Sequence, residues 1–306
     1  MNRLIAIVGP TGVGKSKLAL RLAQNFNVEI VNGDSRQVYR YMDIGTAKPR
    51  QEELSLAPHH LINIVNPDED FSLAQYQKLA YKATTDIQQR NKLPLLVGGS
   101  GQYIWAVLEG WRIPQVPPDP ELRHDLKKKA TAVGKNALYQ ELIEVDPVVA
   151  SKIDPGNIRR IIRALEVQKK AGIPLSQLWH KEPPPWDVFI IGLTISRGES
   201  YRRIDLRVDE MLKQGLVAEV EKLVNMGYDF NLPAMSSIGY RQIGMFLRGE
   251  LTLGEAIQQI KFETHRFVRH QYTWFQLKDS RIRWFDMQDK VEAEITSLAT
   301  QFTRAE

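Results

Sequence analysis

Leu4-Ile5-Ala6-Ile7-Val8-Gly9-Pro10-Thr11-Gly12-Val13-Gly14-Lys15-Ser16 is an apolar run that breaks into a loop of small residues and ends on a cation and a hydroxyl. The spacing from Gly9 to Gly14-Lys15-Ser16 is that of a phosphate loop, set between a predicted strand and a predicted helix, where such a loop works. Small residues let successive backbone N–H groups turn toward phosphate oxygens. The helix starting near Lys15 adds the positive end of its dipole. In this reading Gly9 to Gly14 cradle the phosphates, Lys15 neutralises them and Ser16 Oγ ligates Mg²⁺. The chain is therefore expected to bind a di- or triphosphate.

Working outward, the 306 residues are 43% hydrophobic, enough for one large domain or two modest ones. Cysteine is absent, which excludes disulfides, thiol nucleophiles and Cys-ligated zinc and fits a reducing cytoplasm. A strand three residues from the start leaves no room for a signal peptide, and no segment approaches about 20 consecutive apolar residues. A cytoplasmic protein without membrane contact is the expectation. The net charge of +5 points only weakly to a polyanionic partner. Its placement says more: one basic cluster spans 159–170 and a second, interleaved with aromatics, spans 261–283. The plainer reading of each is a solvated helix face.

Short apolar runs alternate with helical stretches through the first third, the pattern of an α/β sheet. Strands are expected at 4–8, 28–31, 93–97, 188–193 and 282–285. Helices are expected at 15–24, 72–89, 201–214, 218–226, 240–248 and 253–274. Two proline-rich stretches, 113–120 and 179–186, bracket a charged helical segment that reads as an insertion. In such sheets ligands sit beyond the carboxyl ends of the strands, which would bring the phosphate loop, Asp34 and Ser100 to one mouth.

Asp34 follows Asn32-Gly33 at a predicted strand end. It can serve as a general base or hydrogen-bond acceptor, as part of a metal shell, or as a turn residue. The interruption by Asn32-Gly33 departs from a Walker B strand. Asp34-Ser35-Arg36-Gln37 suits recognition of a polar planar group such as a base edge. Gly98-Gly99-Ser100-Gly101 can hold a phosphate oxygen or make a turn that needs positive φ. Arg203 and Arg207 share a helix face, as an arginine clamp for pyrophosphate or as solvated partners of nearby acids. The 235–242 segment enters a helix through small hydroxyl residues that suit a phosphodiester or an ordinary cap. In 266–275, aromatics at helical spacing read as core or as base-stacking platforms beside Arg266, Arg269 and His270.

These motifs, in order from Gly9-Pro10-Thr11-Gly12 through Asp34-Ser35-Arg36-Gln37, Phe71-Ser72, Gly98-Gly99-Ser100, Asn157-Ile158-Arg159-Arg160, Ile238-Gly239-Tyr240-Arg241 and Gln271 with Thr273-Trp274-Phe275, resemble the bacterial tRNA dimethylallyltransferases, the IPP transferase family. The resemblance spans roughly residues 5–285. It implies an α/β fold with a P-loop nucleotide-kinase-like parallel sheet core at 1–118 and 186–306. A small all-helical insertion domain at 119–185 would grip the anticodon stem-loop. The implied reaction moves a dimethylallyl group from dimethylallyl diphosphate to N6 of the adenosine at tRNA position 37, with Mg²⁺, in a monomeric enzyme. It implies that Lys15, Asp34 and Ser100 are catalytic, that Arg203 joins the phosphate loop on the diphosphate, and that Ser16 meets the metal. Contacts to tRNA are implied for Asp34, Ser35, Arg36, Gln37, Ser100, Arg123, Arg159, Arg160, Arg163, Ile238, Gly239, Tyr240, Arg241, Arg269, Gln271 and Trp274. Ser100 replaces the family's usual Thr, Gln102 its usual Leu, and Arg269-His270 its usual Lys-Arg.

The competing readings are a nucleoside or metabolite kinase using the same loop for ATP, and an RNA-binding GTPase-like module. The kinase would consume ATP and would have no need of the basic C-terminal helices. The GTPase-like module would need an Asn-Lys-x-Asp pattern for guanine, which the chain lacks.

Overall fold

The computed structural model describes residues 2–114, 116–178, 180–288 and 291–304. Gln115 and Trp179, one in each proline-rich stretch, lie outside the described residues.

Strand β1 (Arg3–Val8) is apolar from Leu4 onward because both faces are covered, and Leu4 to Val8 are fully buried. It sits inside a six-stranded parallel sheet with β2 (Val28–Asn32), β3 (His59–His60), β4 (Leu93–Val97), β5 (Asp187–Thr194) and β6 (Ile282–Asp286), in the order β3-β2-β4-β1-β5-β6. Register is set by Ile5, which pairs with Leu95 on one side and Phe189 on the other. The helix Lys15–Asn25 buries Leu18, Ala19 and Leu22 against this sheet. Each of the two leucines contributes about 1.5–3 kcal/mol.

The helix Leu73–Gln89 opens with a capping box, in which Ser72 Oγ accepts from Gln75 N at 3.2 Å while Gln75 Oε1 accepts from Ser72 N at 2.8 Å. Several elements depart from the sequence reading, among them the helices Gln51–Leu56 and Gly101–Leu108, which it does not contain. Strand β3 was not foreseen, since two residues are too few to show a period. The helix expected from 201 begins at Arg197 and runs to Lys213.

The chain divides into two compact units, Met1–Leu108 with Pro185–Glu306, and Glu109–Pro184. The second is helical, with Pro120–Val133, Lys135–Val145 and Ile158–Ala171 packed around Leu126, Leu138, Leu142, Ile161 and Leu165. Its ends lie antiparallel: Arg112 N donates to His180 O at 2.9 Å and Glu182 N to Gly110 O at 2.8 Å. Among the described residues, no helix is long and apolar enough to cross a membrane.

Candidate active site

The order β2-β4-β1 puts three strand ends side by side, and each hands the chain to a polar loop. After Val8 the phosphate loop takes positive φ at Gly9, Gly12 and Gly14, with 107° at Gly14, which a side chain rarely adopts. Lys15 Nζ donates to Pro10 O at 2.7 Å, folding the cation over the loop. Burial pushes the Lys15 ammonium down to about 8, against the pull of the Asp34 carboxylate, and the Arg207 charge pushes it the same way as burial.

After Asn32, the Asn32 side chain builds the turn that presents Asp34. Its Nδ2 donates to Asp34 O and Leu61 O, both at 3.0 Å, and its Oδ1 accepts from Asp34 N at 3.0 Å. Asp34 Oδ1 in turn accepts from Arg36 N at 2.8 Å. Of the roles open to Asp34, the turn role is thus real, yet the side chain still lines the same cavity as Lys15 and Ser16. Asn32 was not singled out in the sequence, and nothing but its place before a loop acid would have flagged it.

The loop after β4 corrects an expectation. Gly98, Gly99 and Gly101 do not take positive φ. They are small because other groups come close: a Cβ at Gly98 would collide with the Gly33 carbonyl, one at Gly99 with the Gln271 amide, and one at Gly101 with the Trp274 ring. Ser100 Oγ accepts from Ser35 N at 2.9 Å and donates to Ser35 Oγ at 3.2 Å, so this hydroxyl ties the β4 loop to the β2 loop.

The three loops face a cavity of about 1230 Å³ whose wall includes Gly12, Lys15, Ser16, Asp34, Gln37 and Arg207. Arg203, expected to clamp pyrophosphate, does not line this cavity. Its Nε is held at 2.6 Å by Glu199, whose carboxyl the guanidiniums of Arg202 and Arg203 hold down at about 2. One helical turn further on, Arg207 faces the cavity and has no hydrogen-bond or ion-pair partner among the described residues. Burial lowers its pKa, and the Asp34 carboxylate opposes the shift. The sequence placed both arginines on one face; the i,i+4 acid Glu199 on the same helix claims Arg203, and only the tertiary structure shows that Arg207 faces the cavity.

Several residues expected to touch RNA also make contacts within the fold. Gln271 is 3% exposed: its Oε1 accepts from Thr11 N at 2.8 Å and its Nε2 donates to Gly99 O at 2.9 Å, bridging the phosphate loop and the β4 loop. Tyr240 is fully buried against Gly45, its hydroxyl donating to Glu219 at 2.5 Å, and Gly239 N is taken by Gln242 Oε1. Trp274 packs on Gly101, and its carbonyl accepts from Trp105 Nε1 at 3.0 Å. Gln37 Nε2 donates to Thr46 O and Ala47 O, and Arg36 donates to Pro233 O at 3.1 Å. Ile238 is half-buried, while Arg241 and Arg269 are exposed.

Within the helical unit, Arg123 and Arg163 converge on Glu166, which is fully buried. Arg123 contacts both carboxylate oxygens, at 2.7 and 2.8 Å, Arg163 reaches Oε2 at 2.6 Å, and Asp119 N donates to Oε1 at 2.8 Å. Burial pushes the Glu166 carboxyl up, and these hydrogen bonds outweigh it, holding it below the usual range. Arg123 and Arg163, both expected to contact tRNA, thus share one buried carboxylate, while Arg159 and Arg160 are exposed. Glu166→Gln is expected to destabilise this unit by about 3 kcal/mol, since a buried partner of two cations is lost. A urea midpoint followed on the unit's own helical signal checks this; an unchanged midpoint contradicts it.

Together the loops offer a cationic, N–H-rich end for a diphosphate and a carboxylate end for a proton, within one cavity. Known proteins share this frame. A tRNA dimethylallyltransferase of Dehalococcoides mccartyi is 51% identical over 98% of this chain and 92% of its own length. One from Roseiflexus castenholzii is 54% identical over 90% of each chain. Among solved structures, the tRNA isopentenylpyrophosphate transferase of Bacillus halodurans superposes with a TM-score of 0.73 at 41% identity, covering 99% of this chain and 97% of its own. A eukaryotic dimethylallyltransferase acting on tRNA gives 0.84 at 25% identity, covering 99% and 80%. The family profile described as IPP transferase matches residues 37–278. That match starts in the loop behind Asp34 and runs through the helix that holds the phosphate loop, so this chain belongs to the IPP transferase family.

Proposed function

We propose that this chain is a tRNA prenyltransferase that moves a dimethylallyl group from dimethylallyl diphosphate to N6 of the adenosine at tRNA position 37, releasing pyrophosphate. One observation carries the reading: Lys15 and Arg207 line one cavity with Asp34, as a leaving group and a nucleophile's proton require. The N6 lone pair forms the bond to the allylic carbon while the C–O bond breaks, its electrons leaving with pyrophosphate. The N6 proton passes to Asp34. An exocyclic aromatic amine is a weak nucleophile, so most of the barrier falls through alignment and through charge stabilisation on the departing oxygens.

The phosphate-loop N–H groups, Lys15 and Arg207 hold the diphosphate. Ser100, by fixing Ser35, positions the loop that carries Asp34. The adenosine must leave its stack to reach the cavity, which suits a loop nucleotide. The helical insertion, with Arg159 and Arg160 exposed, takes the anticodon stem-loop. The enzyme works as a cytoplasmic monomer.

Mg²⁺ fits this site as a guest of the substrate. Ser16 contributes a hydroxyl on the cavity wall beside Lys15, while among the described residues no group of three or more His, Cys, Asp or Glu could hold an ion. That donor set suits a hard cation carried mainly by diphosphate oxygens and water. When bound, Mg²⁺ supplies neutralisation of the pyrophosphate charge.

The test is to incubate the protein with an anticodon stem-loop, dimethylallyl diphosphate and Mg²⁺ and to weigh the RNA. Gain of one isoprenyl unit is the expected result, and an unchanged mass sinks the reading. A kinase would instead consume ATP, a reading the family does not favour. In the same assay Arg207→Ala is expected to raise the donor KM by about 10- to 100-fold, the worth of a hydrogen bond to a charged group. Arg203→Ala should leave the donor KM near the parent value. The reverse order would return the clamp to Arg203.

A further inference from the structure

The helices Arg197–Lys213 and Leu253–Trp274 lie side by side, and several basic side chains on them lie against acids. Lys261 pairs with Asp209 at 2.6 Å and His265 lies 2.9 Å from Asp205, while Arg202 and Arg203 share Glu199. At Tyr201 the pattern breaks. Arg197 Nε and Arg269 NH1 both donate to the Tyr201 hydroxyl, at 3.2 and 2.6 Å. Both arginines are exposed, and neither pairs with a carboxylate among the described residues.

Two guanidiniums drawn onto one neutral oxygen repel each other unless an anion sits between them. The phenol is also held in place. Its ring stacks on His265 with centroids 4.0 Å apart and planes 8° off parallel, and the Arg197 guanidinium lies 5.2 Å from the ring centroid. Partial burial pushes the Tyr201 hydroxyl up, but the hydrogen bonds from Arg269 and Arg197 outweigh it, leaving the group below its ordinary value. That shift reports a positive local field. None of the three residues lines the donor cavity.

We propose that Arg197, Tyr201 and Arg269 form a phosphodiester-binding site for the RNA substrate, with two planar forks and a phenol O–H converging on one phosphate. The forks match phosphate oxygens in geometry, and Tyr201, which accepts from both arginines, keeps its own hydrogen to donate outward. This site rests on the reading of RNA as the acceptor. It adds Arg197 and Tyr201, one helix away from the Arg266–Arg269 cluster, to the residues that fix the RNA's register.

The test titrates the anticodon stem-loop onto the full-length protein over a series of salt concentrations. Arg197→Gln and Arg269→Gln should each weaken binding and reduce the slope of log K against log salt by about 1, one phosphate contact's worth. Arg197→Lys should restore the slope, and Tyr201→Phe should weaken binding several-fold with the slope unchanged. The donor KM should not move in any of these variants. Wild-type affinity and slope in both Gln variants, with the parent protein binding RNA normally, overturns the site and leaves the prenyltransferase reading standing. A parent protein that neither binds nor modifies the stem-loop overturns both. If inorganic phosphate alone binds the parent and not the double Gln variant, while RNA binding is equal in both, the site serves a free anion and the proposal fails.

Discussion

Asp34→Ala is expected to lower kcat by about 10²- to 10⁴-fold, the usual worth of a positioned general base, with little change in the donor KM. The carboxylate lies at the carboxyl end of β2, on the cavity wall that also carries Lys15, so its removal empties the proton-accepting end without touching the loop that binds diphosphate. Asp34→Asn sharpens the result. Its side-chain oxygen can still accept from Arg36 N, as Oδ1 does now at 2.8 Å, so the turn survives while the base is lost. The two variants should therefore fall together in single-turnover experiments with the stem-loop. If Asp34→Asn kept the parent rate, the side chain would be a turn residue only.

Lys15→Ala is the second large effect, with an expected loss of about 10²- to 10³-fold in kcat/KM, comparable to removing a preorganised donor from a developing anion. It should appear in both kcat and the donor KM, because the ammonium meets the diphosphate in the ground state and the departing pyrophosphate in the transition state. Its pH signature is specific. Burial lowers the Lys15 pKa to about 8, so the charged form dominates below that value and is lost as pH rises through it. The free-enzyme profile, kcat/KM for the donor, should fall above about pH 8. The profile of kcat should break later, since bound diphosphate favours the ammonium. An alkaline limb in the same place for Lys15→Arg, whose guanidinium does not titrate in this range, would assign the break to another group.

Much of this site was legible in the chain. The phosphate loop was plain because its pattern is local: the glycine conformations, the strand before and the helix after lie within about a dozen consecutive residues. Asp34 was placed at the mouth through parallel-sheet geometry, since the carboxyl ends of neighbouring strands must lie together. The helix expected at 253–274 is found at Leu253–Trp274, and the structure shows Thr252 and Glu255 capping its start.

Other assignments turned on which partner a side chain finds. Arg203 and Arg207 are equivalent by helical spacing, yet Glu199 claims one and leaves the other to the cavity. Arg123 and Arg163, which the resemblance assigns separately to tRNA, meet at the buried Glu166 of a helical core. Gln271 read as a surface contact and is a bridge between two loops far away in sequence.

By itself the sequence determined a phosphate-loop motif on a parallel α/β sheet, and it supplied the ordered motifs that mark the family. Those features depend on backbone conformation and periodicity, which a run of neighbouring residues specifies. Only the tertiary structure decided which arginine faces the cavity and which carboxylate is buried. Helical spacing already offers Glu199 to Arg203 and Glu166 to Arg163 within one turn, but the burial of Glu166, its second partner Arg123 and the place of Arg207 on the cavity wall come from contacts between segments distant in sequence.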